Sequence, residues 1–168
     1  MPRIHEGNLI FDFPSDWLAE KYDQWSFHIH HFQQVCGGAK AIDILAVNTV
    51  TCWLIEVKDY RRGCKTTALE LADVVAQKVR DTLAGLASAR VRGLGTERQA
   101  ADACLKCADL RVVLHVEQPA AASAIFPSPI NPANVLQRLR QLVKAVDPKP
   151  LVVDISASPK HQLPWAVK

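Results

Sequence analysis

No stretch of this 168-residue chain approaches the roughly 20 consecutive apolar residues that a membrane-spanning helix needs. Its longest uncharged runs are broken by Pro or Thr, so no membrane partner is expected. The opening MPRIHEGNLIFDFPSD lacks the basic-then-apolar order of a secretion signal, and a cytoplasmic location follows as the expectation. Five cysteines, an odd number without an export signal, are then expected as reduced thiols. A second CxxC is missing too. The lone pair, Cys104 and Cys107, supplies half a zinc site, and no His-rich stretch completes it. There is no internal repeat, and no helix-turn-helix or zinc finger that would read a base sequence. Strong positive charge is also absent. A net charge of +3 is low for a protein that coats DNA, but it suffices for one that contacts a few phosphates through a local patch.

What is present is an ordinary globular composition, 49% apolar and 22% charged, long enough for one domain with a real core across residues 1–168. PSDWLAEKYDQW has helix-start chemistry at Pro14, Ser15 and Asp16, with Trp17, Leu18 and Tyr22 at helical spacing. SFHIHHFQQV alternates like a strand. Gly37-Gly38 and the Asn48-Thr49 region then punctuate two further strands, AIDILAVN and TCWLIEVKDY. TTALELADVVAQKVRDTLAGLASA is the clearest helix, with Leu69, Ala72, Ala76, Val79, Leu83 and Leu86 on one stripe. RVRGLGTERQ reads as a loop and QAADACLKCAD as a short helix. DLRVVLHVEQ reads as a buried strand, parallel to a neighbour because a helix precedes it. A Pro-punctuated loop, a helix (NPANVLQRLRQLVKAV) and a strand (PLVVDIS) close the chain. The order predicts an α/β fold: a mixed central sheet with helices on both faces.

Charges inside the apolar strands are the feature to explain. Side chains alternate along a strand, so Glu56 and Lys58 share a face. Asp43, on the hairpin-linked strand before, is brought close to Glu56. A structural ion pair is one reading, with Lys58 neutralising Glu56 and Asp43 capping a turn or meeting an arginine. A buried pair is often no better than apolar residues of equal volume, and a second carboxylate adds repulsion. A divalent cation removes that repulsion. Mg²⁺ takes oxygen ligands and commonly uses one or two carboxylates, which Asp43, Glu56 and the Val57 carbonyl could provide.

Asp43, followed after thirteen residues by Glu56-Val57-Lys58 on two apolar strands, resembles the PD-(D/E)xK nuclease superfamily. The texture IDILAVN, WLIEVKDYRRG and VVAQKVRD looks most like its nuclease-related-domain branch. The likeness covers about residues 15–117, leaving 118–168 as a C-terminal extension. It implies a restriction-endonuclease-like core of helix, three-strand meander, helix and strand. It also implies metal-dependent hydrolysis of a phosphodiester, in DNA more than RNA, with Mg²⁺ or Mn²⁺ held by Asp43, Glu56 and Val57. Lys58 would orient the attacking water or stabilise developing charge. Two departures stand out. Ile42 replaces the proline of the motif's name, and the glutamate often found on the first helix has Glu20 as candidate, with Glu6 as a rival. Gln77 matches an auxiliary polar position on the long helix.

Lys40, Arg61, Arg62 and Lys65 flank the motif strands and are the candidates for phosphate contacts, with Lys78 and Arg80 ranking behind them. His28 and His30 share a strand face, but no Cys or carboxylate joins them locally, so they are read as structural. His115 and His161 stand alone. A homodimer would let a domain with one site cut both strands of a duplex. Two other readings compete: a catalytically silent module of the same fold that binds nucleic acid or a protein, and an α/β domain whose acidic patch is structural.

Overall fold

In the computed structural model, residues 1–63, 66–119, 130–156, 161 and 163–168 are described. Among these residues, eight strands and three α-helices form two sheets and one helical layer. The central sheet has the order β3-β4-β5-β6-β7, made of Leu18–Lys21, Ile44–Val47, Thr51–Asp59, Asp109–Glu117 and Leu151–Val153. β3 with β4 and β4 with β5 pair antiparallel, whereas β5 with β6 and β6 with β7 pair parallel. The sheet is therefore mixed, and the long connection from β5 to β6 carries α1 (Ala68–Arg92) and α2 (Gly95–Lys106). A second, three-stranded antiparallel sheet joins β1 (Arg3–Glu6), β2 (Leu9–Asp12) and β8 (Ala166–Val167).

Strand parity sorts the core into two halves. Leu45, Leu54, Val112 and Leu114 face the helices, packing with Leu71, Val75, Val79 and Leu86 of α1 and with Val135 and Leu139 of α3 (Pro132–Val143). Ile44, Ile55, Val57 and Val113 face the other way, against Leu9, Phe11, Phe13 and Trp165. Helices were expected on both faces. The second face is instead covered by the small sheet, which pairs strands from the two ends of the chain. Three of the four tryptophans meet there: Trp53 stacks on Trp17 at 6.5 Å and meets Trp165 edge-on at 5.0 Å.

Two local assignments are corrected. The segment expected as the first helix contains strand β3 and a 3-10 turn, Tyr22–Gln24. Leu, Ala, Glu and Lys all favour helix, but pairing with β4 along four register positions outweighs a weak intrinsic preference. HIHHF, expected as a strand, is a π-helical turn, His28–Phe32. Its buried residues, His28 and Phe32, lie four apart, and Glu97 of α2 caps it by accepting the N–H groups of Ser26 and Phe27 at 2.7 and 3.0 Å. His30 and His31 are exposed, so the shared strand face of His28 and His30 does not exist.

α1 is longer than expected and runs through Arg92. It starts from a capping box in which Thr67 and Glu70 satisfy each other's backbone N–H groups. Its buried stripe keeps Ala72, Val79 and Leu86 of the expected one and adds Leu71 and Val75, while Leu69 is 59% exposed. The thiols also differ from expectation. Cys52 of β5 and Cys104 of α2, both fully buried, form a disulfide that ties the sheet to the helical layer.

Candidate functional site: a buried carboxylate pair between two lysines

The site is assembled where β4 begins. Ladder pairing starts at Ile44↔Ile55, so Asp43 precedes the first paired residue and would stand opposite Glu56. No ladder partner serves Val57 there, and Asp43 Oδ2 accepts the Val57 N–H at 2.7 Å. Asp43 therefore completes the hairpin as well as contributing charge. α1 holds the segment from the other side. Asp81 accepts the Lys40 N–H at 2.9 Å and Thr82 accepts the Ile42 N–H at 3.1 Å. Lys78 lies one turn earlier on that helix face, which brings its ammonium beneath the carboxylates.

Glu56 is 1% exposed and Asp43 8%. Lys58 and Lys78 both reach Glu56 Oε1, each at 2.6 Å, and Lys78 also stands 3.4 Å from Asp43 Oδ1. The second oxygen, Glu56 Oε2, is buried with no hydrogen-bond partner among the described residues. Burial, and then the charge of Asp43, raise the Glu56 carboxyl to a pKa of about 7 despite both lysines. Burial alone would lower the Lys58 ammonium, but the attraction of Glu56, Asp43 and Glu6 leaves it raised.

The patch extends past this quartet. Glu6 of β1 pairs with Lys21 of β3 at 2.7 Å and acts electrostatically on Lys58. Asp23, raised chiefly by burial, interacts with Lys21, Asp43, Glu6 and Lys78. Two expected members stand elsewhere. Glu20 pairs with Leu45 in the sheet, and its electrostatic neighbours are Trp25 and Glu97. Gln77 lines a groove of about 560 Å³ between α1 and α3, with Asp73, Arg80 and Leu142. Sequence reasoning favoured Gln77 over Lys78, its neighbour; the two point about 100° apart on a helix of 3.6 residues per turn. Asp23 was missed, since it follows β3 in a turn that no strand or helix pattern marks.

Among the candidates for phosphate contacts, Lys40 and Arg62 are exposed. The Arg61 guanidinium is paired with Asp59 at 2.5 Å. Lys65 lies outside the described residues. Arg80 pairs with Asp81 at 2.8 Å. His115 is a core residue of the opposite face, bonded to Glu117 at 2.8 Å and edge-on to Phe11. His161 is exposed.

Whether a divalent ion suits these residues depends on their oxygens. Among the described residues, no three His, Cys, Asp or Glu side chains stand together as a metal-holding group. Asp43 and Glu56 nevertheless supply two hard carboxylates, one with an unpartnered buried oxygen, and hard oxygen donors fit Mg²⁺.

Fold and site define an α/β protein with a mixed five-stranded sheet and a buried two-carboxylate, two-lysine cluster at the β4–β5 hairpin. No protein-family model matches the chain, and no solved structure matches it. It is similar to a cysteine–tRNA ligase of Neisseria meningitidis serogroup A, at 31% identity over 208 aligned residues. That alignment takes in 99% of this chain, which spans 30% of the ligase's length. Among the described residues, no helix is long and apolar enough to cross a membrane.

Proposed function

We propose that the protein is a metal-dependent hydrolase of phosphodiester bonds in nucleic acid, with the restriction-endonuclease-like arrangement its motif implies. The observation that carries this reading is the convergence of Asp43, Glu56 and Lys58 on one buried patch, with a Glu56 oxygen left without a partner among the described residues. Asp43 and Glu56 would hold Mg²⁺ or Mn²⁺, with the Val57 carbonyl as a further donor. The bound ion supplies Lewis acidity and lowers the pKa of a coordinated water. Lys58, at 26% side-chain exposure, is the outer ammonium. It would meet a phosphate oxygen and offset charge that develops there. Lys40 and Arg62, both exposed, would neutralise neighbouring phosphates, as would Lys65.

DNA is the substrate implied by the motif. The likeness to part of a cysteine–tRNA ligase supports testing tRNA beside it. The test is cleavage of plasmid, single-stranded DNA and tRNA with Mg²⁺ or Mn²⁺ and with EDTA. Cleavage should require metal, and Asp43→Ala or Lys58→Ala should lower its rate by about 10²-fold or more. Absence of cleavage on all three substrates, or activity that survives Asp43→Ala, would refute the reading.

A second reading has its own support. Lys78 gives the two carboxylates a second ammonium, so the quartet is neutral without metal. That balance suits a catalytically silent module that binds nucleic acid or a protein partner. Metal-independent binding of tRNA or DNA, with no cleavage, is the result that would select it.

A further inference from the structure

We infer that Lys78 is a tethered counter-cation of the site, which holds the Asp43–Glu56 pair while no divalent ion is bound and competes with that ion for the same two carboxylates. This rests on the reading of Asp43 and Glu56 as the metal-holding pair. The geometry is specific: one ammonium lies 2.6 Å from Glu56 Oε1 and 3.4 Å from Asp43 Oδ1, between the side chains a metal would join. Lys58 does not bridge in this way: its ion pair is with Glu56, and Asp43 acts on it only through longer-range charge. Two further features favour competition over a purely structural role. Both ammoniums crowd one Glu56 oxygen and leave Oε2 buried without a partner among the described residues, an oxygen still open to a ligand. Lys78 also ends a flexible stem on a fixed helix. Its helix is anchored at Asp81 and Thr82, but the ammonium ends a flexible four-carbon stem at 17% side-chain exposure, so it can withdraw without displacing the helix.

Competition has a measurable consequence. A site that must first release an internal cation binds metal with an affinity reduced by the fraction of molecules in the released state. Removing the ammonium should therefore tighten metal binding by about tenfold or more if the released state is at most about one molecule in ten. The experiment is calorimetric titration of the full chain with Mn²⁺ at one pH, comparing wild type, Lys78→Gln, Lys78→Met and Lys78→Gln/Asp43→Asn. Both single variants should bind more tightly than wild type, and the added Asp43→Asn should abolish the gain. Unchanged or weaker binding overturns the inference, as does tighter binding that survives Asp43→Asn.

Should both Lys78 variants fail to fold, the wild type alone decides. Saturating Mn²⁺ should raise the acetylation rate of the Lys78 amine relative to Lys21, read by mass spectrometry, and an unchanged ratio overturns the inference. The hydrolase reading fails separately. Tighter Mn²⁺ binding without cleavage keeps the counter-cation and removes the enzyme; metal-dependent cleavage with unchanged affinity does the reverse.

Discussion

Replacing Glu56 by Gln in metal-free buffer should stabilise the protein at pH 8 and change little at pH 5. The folded-state pKa is about 7 against an ordinary 4.5. Between those values the folded protein keeps a proton that the unfolded chain has released. Stability is thus lost as pH rises through the window, by up to about 3 kcal/mol once the carboxyl is fully ionised. Gln resembles the protonated form and does not titrate, so the variant should escape that loss. The pKa of about 7 already includes the attraction of Lys58 and Lys78, so the figure is the net cost of ionising Glu56 in the folded protein.

Wild-type stability alone would mislead. Burial lowers the pKa of His28 and His115, and each contributes a loss of stability as pH falls through the ordinary histidine range. Both histidines are present in both proteins, so the difference between wild type and Glu56→Gln isolates the carboxylate. The assay is urea denaturation with EDTA at half-unit steps from pH 5 to 8.5. A gap that grows with pH supports the account. A variant less stable than wild type at pH 8, or a gap that ignores pH, refutes it and means that the ion pairs outweigh the cost of burying the charge.

Reduction of the Cys52–Cys104 bridge, whose residues are 52 apart in sequence, should cost up to about 4 kcal/mol by loop-closure entropy. Thermal unfolding of wild type with and without reductant measures it, and identical melting temperatures would exclude the bridge in solution. Gly85 sits in α1 against the Tyr22 hydroxyl and the ring of Phe32, so a Cβ there would collide with the tyrosine hydroxyl. Gly85→Ala should lose about 1–3 kcal/mol through overpacking despite the better helix propensity of Ala. The Tyr22 hydroxyl is buried without a partner among the described residues, so adding Tyr22→Phe should restore much of the loss. A double-mutant cycle with no coupling would contradict this packing.

Legibility in the sequence followed the range of the signal. The strands β5 and β6 and the helices α1 and α3 were readable because each carries a long apolar period of its own, and β4 because turn residues bracket its apolar run. β3 was not. Its LAEK residues favour helix, and only the β4 edge, more than twenty residues away, makes them a strand. The cover of the second face was invisible for a similar reason: β1, β2 and β8 come from the two ends of the chain and are four residues long at most. The Cys52–Cys104 pairing depends on how α2 docks on β5, which neither segment encodes by itself.

The site shows the same division, and with it the case for a metal changes. Parity along β5 and one hairpin placed Asp43, Glu56 and Lys58 together from local pattern alone. Counting those three charges leaves one carboxylate in excess, which by itself calls for a cation. The rotation of α1 against the sheet is not local, and it brings in Lys78, 22 residues beyond Glu56. With Lys78 the inner quartet balances, so charge excess there no longer argues for metal. What argues for it is oxygen chemistry, a Glu56 Oε2 without a partner among the described residues, together with the wider patch. Adding Glu6 and Asp23 against Lys21 gives four carboxylates to three ammoniums, an excess of one negative charge once Glu56 is ionised above its pKa of about 7. That surplus favours a cation arriving from solvent over one more structural pair, and it is why metal affinity, rather than stability, discriminates between the readings.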